Sequence, residues 1–417
     1  LRTNLTAYDA LYVALAEQLD ATLLTAEPCV IRRVPDLSDV KFMGRILESI
    51  GCEVKFEGDT LTVAARRING HGDYDLIRKM RGSICILGPL LGRLRRADVS
   101  QPGGCVIGTR PIDLHLKGLR ALGAKIEIEG GYVRAKALRL AGAEIFLGGR
   151  AGPTVLGTAN VMCAAVLADG VTIIESAACE PEVTDLALFL NAMGAKIHGA
   201  GSPTITITGV QELHGAEHEV IPDRIEAGTF LLAAAITRST LMVAPVISDH
   251  LRAVLTKLEE AGCRLEIDGT CITIAADHIR AVDLRTQPFP GFPTDLQAPF
   301  MSLLATASGT SVITENIFEN RLQHVAELQR MGAAIRMQGN TAFVEGVSRL
   351  SGAPVQGSDL RASAAMVLAG LAAEGITSVQ GLEYLDRGYA GLEAKLNAAG
   401  ASIERVSGSP ALVNSAA

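Results

Sequence analysis

Six times along this chain the same phrase returns: a leucine, three residues, then glycine and a small residue, followed by an alternating apolar run. The copies are Leu47–Cys52, Leu119–Ala124, Leu190–Ala195, Leu258–Cys263, Leu328–Ala333 and Leu396–Ala401, and the glycine recurs about every 70 residues. Recurrence this regular means that one structural unit is repeated. Common solenoid repeats span roughly 20–50 residues, so a unit of this length has room for several strands and helices.

Each phrase reads as the end of an amphipathic helix and the start of a strand. Gly262 stands where a left-handed backbone ends a helix. From Cys263 to Ile274 polar and apolar residues alternate, and Asp268-Gly269 is the expected hairpin turn. A second helix rich in small residues precedes each phrase, as in Thr158–Ala168 and Ala364–Ala373. The unit is therefore of βαβαββ type. Small side chains such as those of Ala227–Ala235 permit close helix packing, which puts these helices inside and the hairpins outside. Six units make two α/β domains of three. The expected division is an atypical segment at 1–21, one domain at 22–219 and a second at 220–417.

The composition removes several classes of function. The 417 residues are 48% hydrophobic and 20% charged, as in a globular protein with large cores. Net charge is −7, aromatics are 4% and Trp is absent, which argues against nucleic-acid binding. Apolar runs are cut at Asp169 and Arg238, short of the about 18 residues that span a bilayer. The start has no basic segment followed by an apolar one, so no secretory signal is expected. The eight cysteines are scattered without a Cys-x-x-Cys pair. Reduced thiols in a cytoplasmic protein are expected, with no structural metal or cofactor.

The densest special segment is Gln101-Pro-Gly-Gly-Cys105-Val-Ile-Gly-Thr-Arg110-Pro-Ile-Asp-Leu-His115. Glycines and prolines make it a shaped loop, and Arg110 near Cys105 suits a thiol of lowered pKa. Cys29, Cys52, Cys85 and Cys163 read instead as packed core residues. Arg81 and Arg361 each stand at the start of a small-residue helix, and Arg387 lies in Asp386-Arg-Gly-Tyr389. An arginine fork beside free helix N–H groups suits phosphate or carboxylate. Asp295, in Phe292-Pro-Thr-Asp-Leu-Gln, could cap the following helix or serve as a general base.

Taken together, these motifs, with Pro222-Asp-Arg-Ile-Glu and Phe318-Glu-Asn-Arg321, resemble the enolpyruvyl transferases, and within them the branch that uses a UDP-linked amino sugar. The match runs from about Thr22 to about Val406. It implies two inside-out α/β barrels, each with pseudo-threefold symmetry. It also implies transfer of the enolpyruvyl group of phosphoenolpyruvate to the 3′-hydroxyl of UDP-N-acetylglucosamine with release of phosphate, at the start of peptidoglycan synthesis. The implied partners are those two small molecules alone. By resemblance Cys105 is the proton donor to phosphoenolpyruvate and the target of fosfomycin, and Asp295 is the carboxylate near the sugar hydroxyl. Arg110, Arg361 and Arg387 fall on phosphoenolpyruvate-binding positions. Arg81, Arg110, Pro111, Ile112, Asp113, Leu114, Asp295 and Ile317 fall on UDP-sugar-binding positions. Arg150-Ala-Gly-Pro-Thr-Val resembles a variant diphosphate loop. The Cys105 loop argues against the shikimate-phosphate branch of the same family.

The match fails before residue 22. Family members carry a Lys-Asn pair in their first helix that contacts phosphoenolpyruvate; counted back without gaps, Tyr12 and Val13 stand there. Residues 1–21 instead resemble the tail of a PIN-domain ribonuclease toxin, with Tyr8-Asp9-Ala10 at its signature position. A UDP-sugar-binding protein of impaired turnover is the alternative that this substitution raises.

Overall fold

The computed structural model describes residues 18–101, 107–108 and 111–406. All six repeated phrases form the same cap. In each, the glycine N–H bonds the carbonyl three residues back and the next N–H bonds the leucine carbonyl, as with Gly51 to Glu48 (3.0 Å) and Cys52 to Leu47 (3.0 Å). This is the paired-bond helix ending that requires a left-handed residue. The six glycines meet the requirement with φ of 102°, 101°, 102°, 101°, 89° and 102°. The leucine of each phrase is buried, from 0% exposed at Leu47 to 3% at Leu396, and full burial of one contributes about 1.5–3 kcal/mol. The phrase recurs because it ends a helix and anchors that end in the core with one set of residues.

The chain forms two compact units. The first holds the described residues up to Pro222 together with Gln287–Gly291; the second holds Asp223–Thr286 and the residues from Phe292 onward. Each is an inside-out α/β barrel of three repeats. In the second unit the inner helices are Arg224–Ile236, Gln297–Leu304 and Leu360–Leu371. Every residue from Ile225 to Ile236 is buried, as is every residue of Gln297–Leu304. A helix apolar on all sides has no wet face, so it must lie inside. In the first unit the inner positions belong to Leu87–Leu94, Val155–Ala165 and a helical stretch that ends in the 3-10 turn Thr22–Leu24. Gly88 shows how close they come: a Cβ there would lie 2.0 Å from the carbonyl oxygen of Asn160. The Asn160 side chain accepts from the Gly88 N–H and donates to Ile84 O (3.0 Å), fastening the two helices.

The sheets repeat as well. Val171–Glu175 runs antiparallel to Thr204–Thr208 and parallel to Glu144–Phe146. Thr310–Thr314 has the same relation to Thr341–Glu345 and Leu284–Arg285. Cys29–Arg32 runs antiparallel to Thr60–Ala64, but its parallel partner is Glu217–Glu219, the last strand of the unit, so the ring of repeats closes there. Asp185 holds that closure: Gln18 donates to one oxygen and His218 Nε2 lies 2.9 Å from the other. One turn differs from expectation. Asp268 pairs with Cys271, so the hairpin turn is Gly269-Thr270 rather than Asp268-Gly269. The antiparallel ladder extends one residue further than the alternation suggested. No helix among the described residues is long and apolar enough to cross a membrane.

Asp20 breaks the inside-apolar rule. It is 1% exposed, and neither carboxylate oxygen has a hydrogen-bond partner. Burial pushes its carboxyl well above the usual range. An unpartnered buried polar group costs about 1–3 kcal/mol. As pH rises from about 4 the unfolded chain gives up this proton before the folded one, so stability falls with rising pH until the folded value is passed. Asp20→Ala is expected to raise the melting temperature by about 2–4 °C at pH 7 and by less near pH 4. Melting curves at the two pH values check this; no gain at pH 7 would mean that the carboxyl has a partner.

Candidate active site

In the second unit the Phe292-Pro-Thr-Asp segment forms a single 3-10 turn, Thr294–Leu296, ahead of the Gln297–Leu304 helix. Asp295 lies inside that turn and caps nothing, because the position before the turn is Pro293. Of the two roles open to it from sequence, capping is excluded. Its carboxylate faces two arginines instead. Oδ1 accepts from Arg321 Nη2 at 2.8 Å, and Oδ2 accepts from Arg361 Nη2 at 2.8 Å. Both arginine side chains are 5% exposed, and that of Asp295 is 35% exposed. Burial pushes the Asp295 carboxyl up, but Arg361 and Arg321, with Arg224 beyond them, outweigh it and hold it well below the usual carboxylate range.

Arg361 is positioned by its helix. Asp359 Oδ1 accepts from the N–H of Arg361 (2.9 Å) and of Ala362 (3.1 Å), capping Leu360–Leu371. These two N–H groups are taken, so the open helix terminus expected beside Arg361 is filled by its own cap. The guanidinium lies 5.7 Å from the Tyr389 ring centre, and the Tyr389 hydroxyl is 2.9 Å from Thr229 Oγ1 on a second inner helix. Arg387 is half-buried just after the short helix Leu382–Leu385. His324 is 2% exposed; burial, with the charge of Arg321, pushes it down to about 4 against the pull of Asp359, so the ring is neutral at pH 7.

Ile317 is held by a residue that the sequence reading passed over. Glu315, 2% exposed, accepts from the N–H groups of Ile317 (2.8 Å) and Phe318 (3.2 Å) and from the hydroxyls of Thr286 (2.9 Å) and Thr294 (2.9 Å). Arg321 was also passed over as a site residue, although it ends the Phe-Glu-Asn-Arg motif. Its signal was its place in that motif; nothing local tells a buried arginine from a solvated one.

In the first unit, Arg81 opens the 3-10 helix Arg81–Ile86 that leads into Leu87–Leu94. Pro111 and Ile112 lead into the Asp113–Ala121 helix, whose first turn contains Asp113 and Leu114. Pro111 and Asp113 are exposed, and Ile112 and Leu114 are half-buried. Leu114 packs on Gly149 of the small hairpin that joins Gly148–Gly149 to Gly152–Pro153, the arm containing Arg150. Thr154 follows and caps Val155–Ala165 through the Gly157 N–H (3.2 Å). Cys105 and Arg110, like Tyr12 and Val13, lie outside the described residues.

A half-buried carboxylate between two buried arginines thus sits on a repeated inside-out barrel, and comparison with known proteins shows the family. The family model described as EPSP synthase (3-phosphoshikimate 1-carboxyvinyltransferase) matches residues 17–396, and the chain belongs to this family of enolpyruvyl transferases. It is 56% identical over 393 residues to the UDP-N-acetylglucosamine 1-carboxyvinyltransferase of Synechococcus sp. (strain CC9605), covering 93% of this chain and 90% of that one. It is 58% identical over 396 residues to the protein of the same name from Parasynechococcus marenigrum (strain WH8102), covering 94% and 91%. Among solved structures, the enolpyruvyl transferase NikO from Streptomyces tendae is similar, with a TM-score of 0.86, 25% identity and coverage of 95% and 94%. EPSP synthase from Acinetobacter baumannii shares the fold, with a TM-score of 0.71, 17% identity and coverage of 96% of each chain.

Most of the other thiols are poor competitors for a thiol reagent, and the half-buried Cys271 is the main rival to Cys105. Cys29, Cys52, Cys85, Cys163 and Cys263 are buried. Burial pushes Cys52 up to about 12 and Cys263 up to about 11, and it raises Cys29 and Cys179 as well. Thiols held protonated are poor nucleophiles. Iodoacetamide or fosfomycin is expected to label Cys105 before the other seven cysteines. Peptide mass mapping over time checks the order; Cys105 among the slowest would remove it from the site.

Proposed function

We propose that the chain transfers the enolpyruvyl group of phosphoenolpyruvate to the 3′-hydroxyl of UDP-N-acetylglucosamine, releasing phosphate, as the first committed step of peptidoglycan synthesis. The observation that carries this reading is the Asp295 carboxylate held by Arg321 and Arg361, in a chain 56% identical to a UDP-N-acetylglucosamine 1-carboxyvinyltransferase. Cys105 protonates the methylene carbon of phosphoenolpyruvate, leaving an oxocarbenium-like centre at C2. The sugar hydroxyl attacks that centre and Asp295 takes its proton. Loss of a proton from the new methyl group, with departure of phosphate, restores the double bond. Arg110, Arg361 and Arg387 neutralise the phosphoenolpyruvate anion and the leaving phosphate. Arg81, the Arg110–Leu114 segment and Ile317 hold the UDP-sugar. Phosphate release that requires both substrates is the direct test; release with neither or with one alone would sink the reading.

Asp295 cannot act as an effective base while two arginines hold its pKa so low, because base strength follows pKa. In this reading the anionic substrate draws the arginines away and Asp295 recovers basicity as the site fills. Asp295→Asn removes both the base and the internal anion. Turnover is expected to fall at least about a hundredfold. Binding of inorganic phosphate, measured by calorimetry, is expected to tighten severalfold, because the arginines lose their carboxylate. Weaker phosphate binding would mean that the arginine pair does not receive the anion.

The second reading, a UDP-sugar-binding protein of low turnover, rests on Tyr12 and Val13. A hydrogen bond to a charged group contributes about 1.5–3 kcal/mol, and Tyr12 supplies no cation. Tyr12→Lys with Val13→Asn is expected to raise turnover by about a hundredfold, with little change in UDP-N-acetylglucosamine affinity. Equal rates before and after the exchange would show that another cation fills the role.

A further inference from the structure

We propose that Glu315 is a positioning residue for this reaction: it locks the turn that bears Asp295 to the backbone at Ile317, so that proton acceptor and nucleotide contact move as one piece. The inference rests on the proposed transferase function. Glu315 follows the strand Thr310–Thr314 and is 2% exposed. A carboxylate is acceptor-only, with about four lone-pair positions on two oxygens. Here four donors reach the two oxygens, three on one and one on the other. Oε1 takes the Thr286 hydroxyl and the N–H groups of Ile317 and Phe318, at 2.9, 2.8 and 3.2 Å. Oε2 takes the Thr294 hydroxyl at 2.9 Å.

These four donors come from two stretches of chain. Thr286 and Thr294 bracket the segment that ends at Asp295, while Ile317 and Phe318 open the loop that leads to Arg321. Both partners of the ion pair, Asp295 and Arg321, therefore hang from segments tied to one buried carboxylate. The frame is stiffened further. Thr286 Oγ1 accepts from the Asn316 N–H (2.8 Å) while donating to Glu315, and Asn340 donates to the Glu315 carbonyl (2.8 Å). A residue that only filled a turn would need the two N–H bonds alone. The Thr294 bond reaches past the turn to the neighbour of the proposed base.

The test separates position from mere stability. Thr294→Val removes the single bond between Glu315 and the Asp295 turn while keeping side-chain shape. It is expected to lower kcat about tenfold, as for a charged hydrogen bond lost, with KM for UDP-N-acetylglucosamine changed less than about twofold. Glu315→Gln can still accept three donors on its oxygen and donate to Thr294 Oγ1, so it is expected to keep kcat within about fivefold of the parent, whereas Glu315→Leu loses about a hundredfold or more. Hydrogen exchange, read on peptides spanning 290–297 and 315–319, gives a measurement independent of turnover. Glu315→Leu is expected to speed exchange in both peptides, and Thr294→Val in the first alone. An unchanged kcat in Thr294→Val, or Glu315→Gln as damaging as Glu315→Leu, would overturn the proposal. If the parent chain itself releases no phosphate, the transferase reading fails on that result and exchange decides the coupling: faster exchange in one peptide only, in Glu315→Leu, overturns it.

Discussion

Everything in this chain depends on helices that have no wet side. A helix buried all round can approach its neighbours only where its residues are small, and Gly88 against Asn160 shows the limit of that approach. Once three such helices fill the middle of a unit, the amphipathic helices and hairpins have one place left, the outside. The six glycine caps then serve the same arrangement from the outer layer. Each stops a helix in one residue, and the first five turn the chain into a hairpin, with a buried leucine marking the depth of insertion.

The ion-paired site grows from the ends of those inner helices. Asp295 precedes one and Arg361 begins another, so the packing that brings helices together also brings their termini together. Charges gathered in this way are expensive unless paired. Asp295, Arg321 and Arg361 neutralise much of one another's cost, with one positive charge in surplus. Asp20 lies in the first unit with no such compensation, and it is the one place in the described core where a carboxyl has been buried without a counter-charge or a donor.

Much of this was legible in the sequence because the governing signals are local. A helix-ending glycine, the leucine before it and the alternation after it all lie within a few residues, so repeat number, unit type and the inner and outer layers could be read directly. The membership of the site was only partly legible. Arg361 and Asp295 stood out through their motifs, but the pairing of Asp295 with Arg321 spans 26 positions. A carboxylate that accepts from residues 286, 294, 317 and 318 has no local mark either, which is why Glu315 went unnoticed. The capping role open to Asp295 failed because the chain turns one residue earlier than expected, which puts Pro293 at the cap position and Asp295 inside the turn. The alternation rule missed the Gly269-Thr270 turn by one residue because cross-strand pairing carried Asp268 into the ladder.

The first unit is not a continuous stretch of chain. Its opening strand, Cys29–Arg32, finds its parallel neighbour only at Glu217–Glu219, and Gln287–Gly291 joins the same unit later still. On a ribosome the order of events follows from this. The first repeat must wait with one edge unpaired until some 190 further residues have emerged, and the full unit forms only after the fourth repeat has left the exit tunnel. A nascent chain halted near residue 200 would therefore present an open sheet edge to whatever chaperone or neighbour lies nearby.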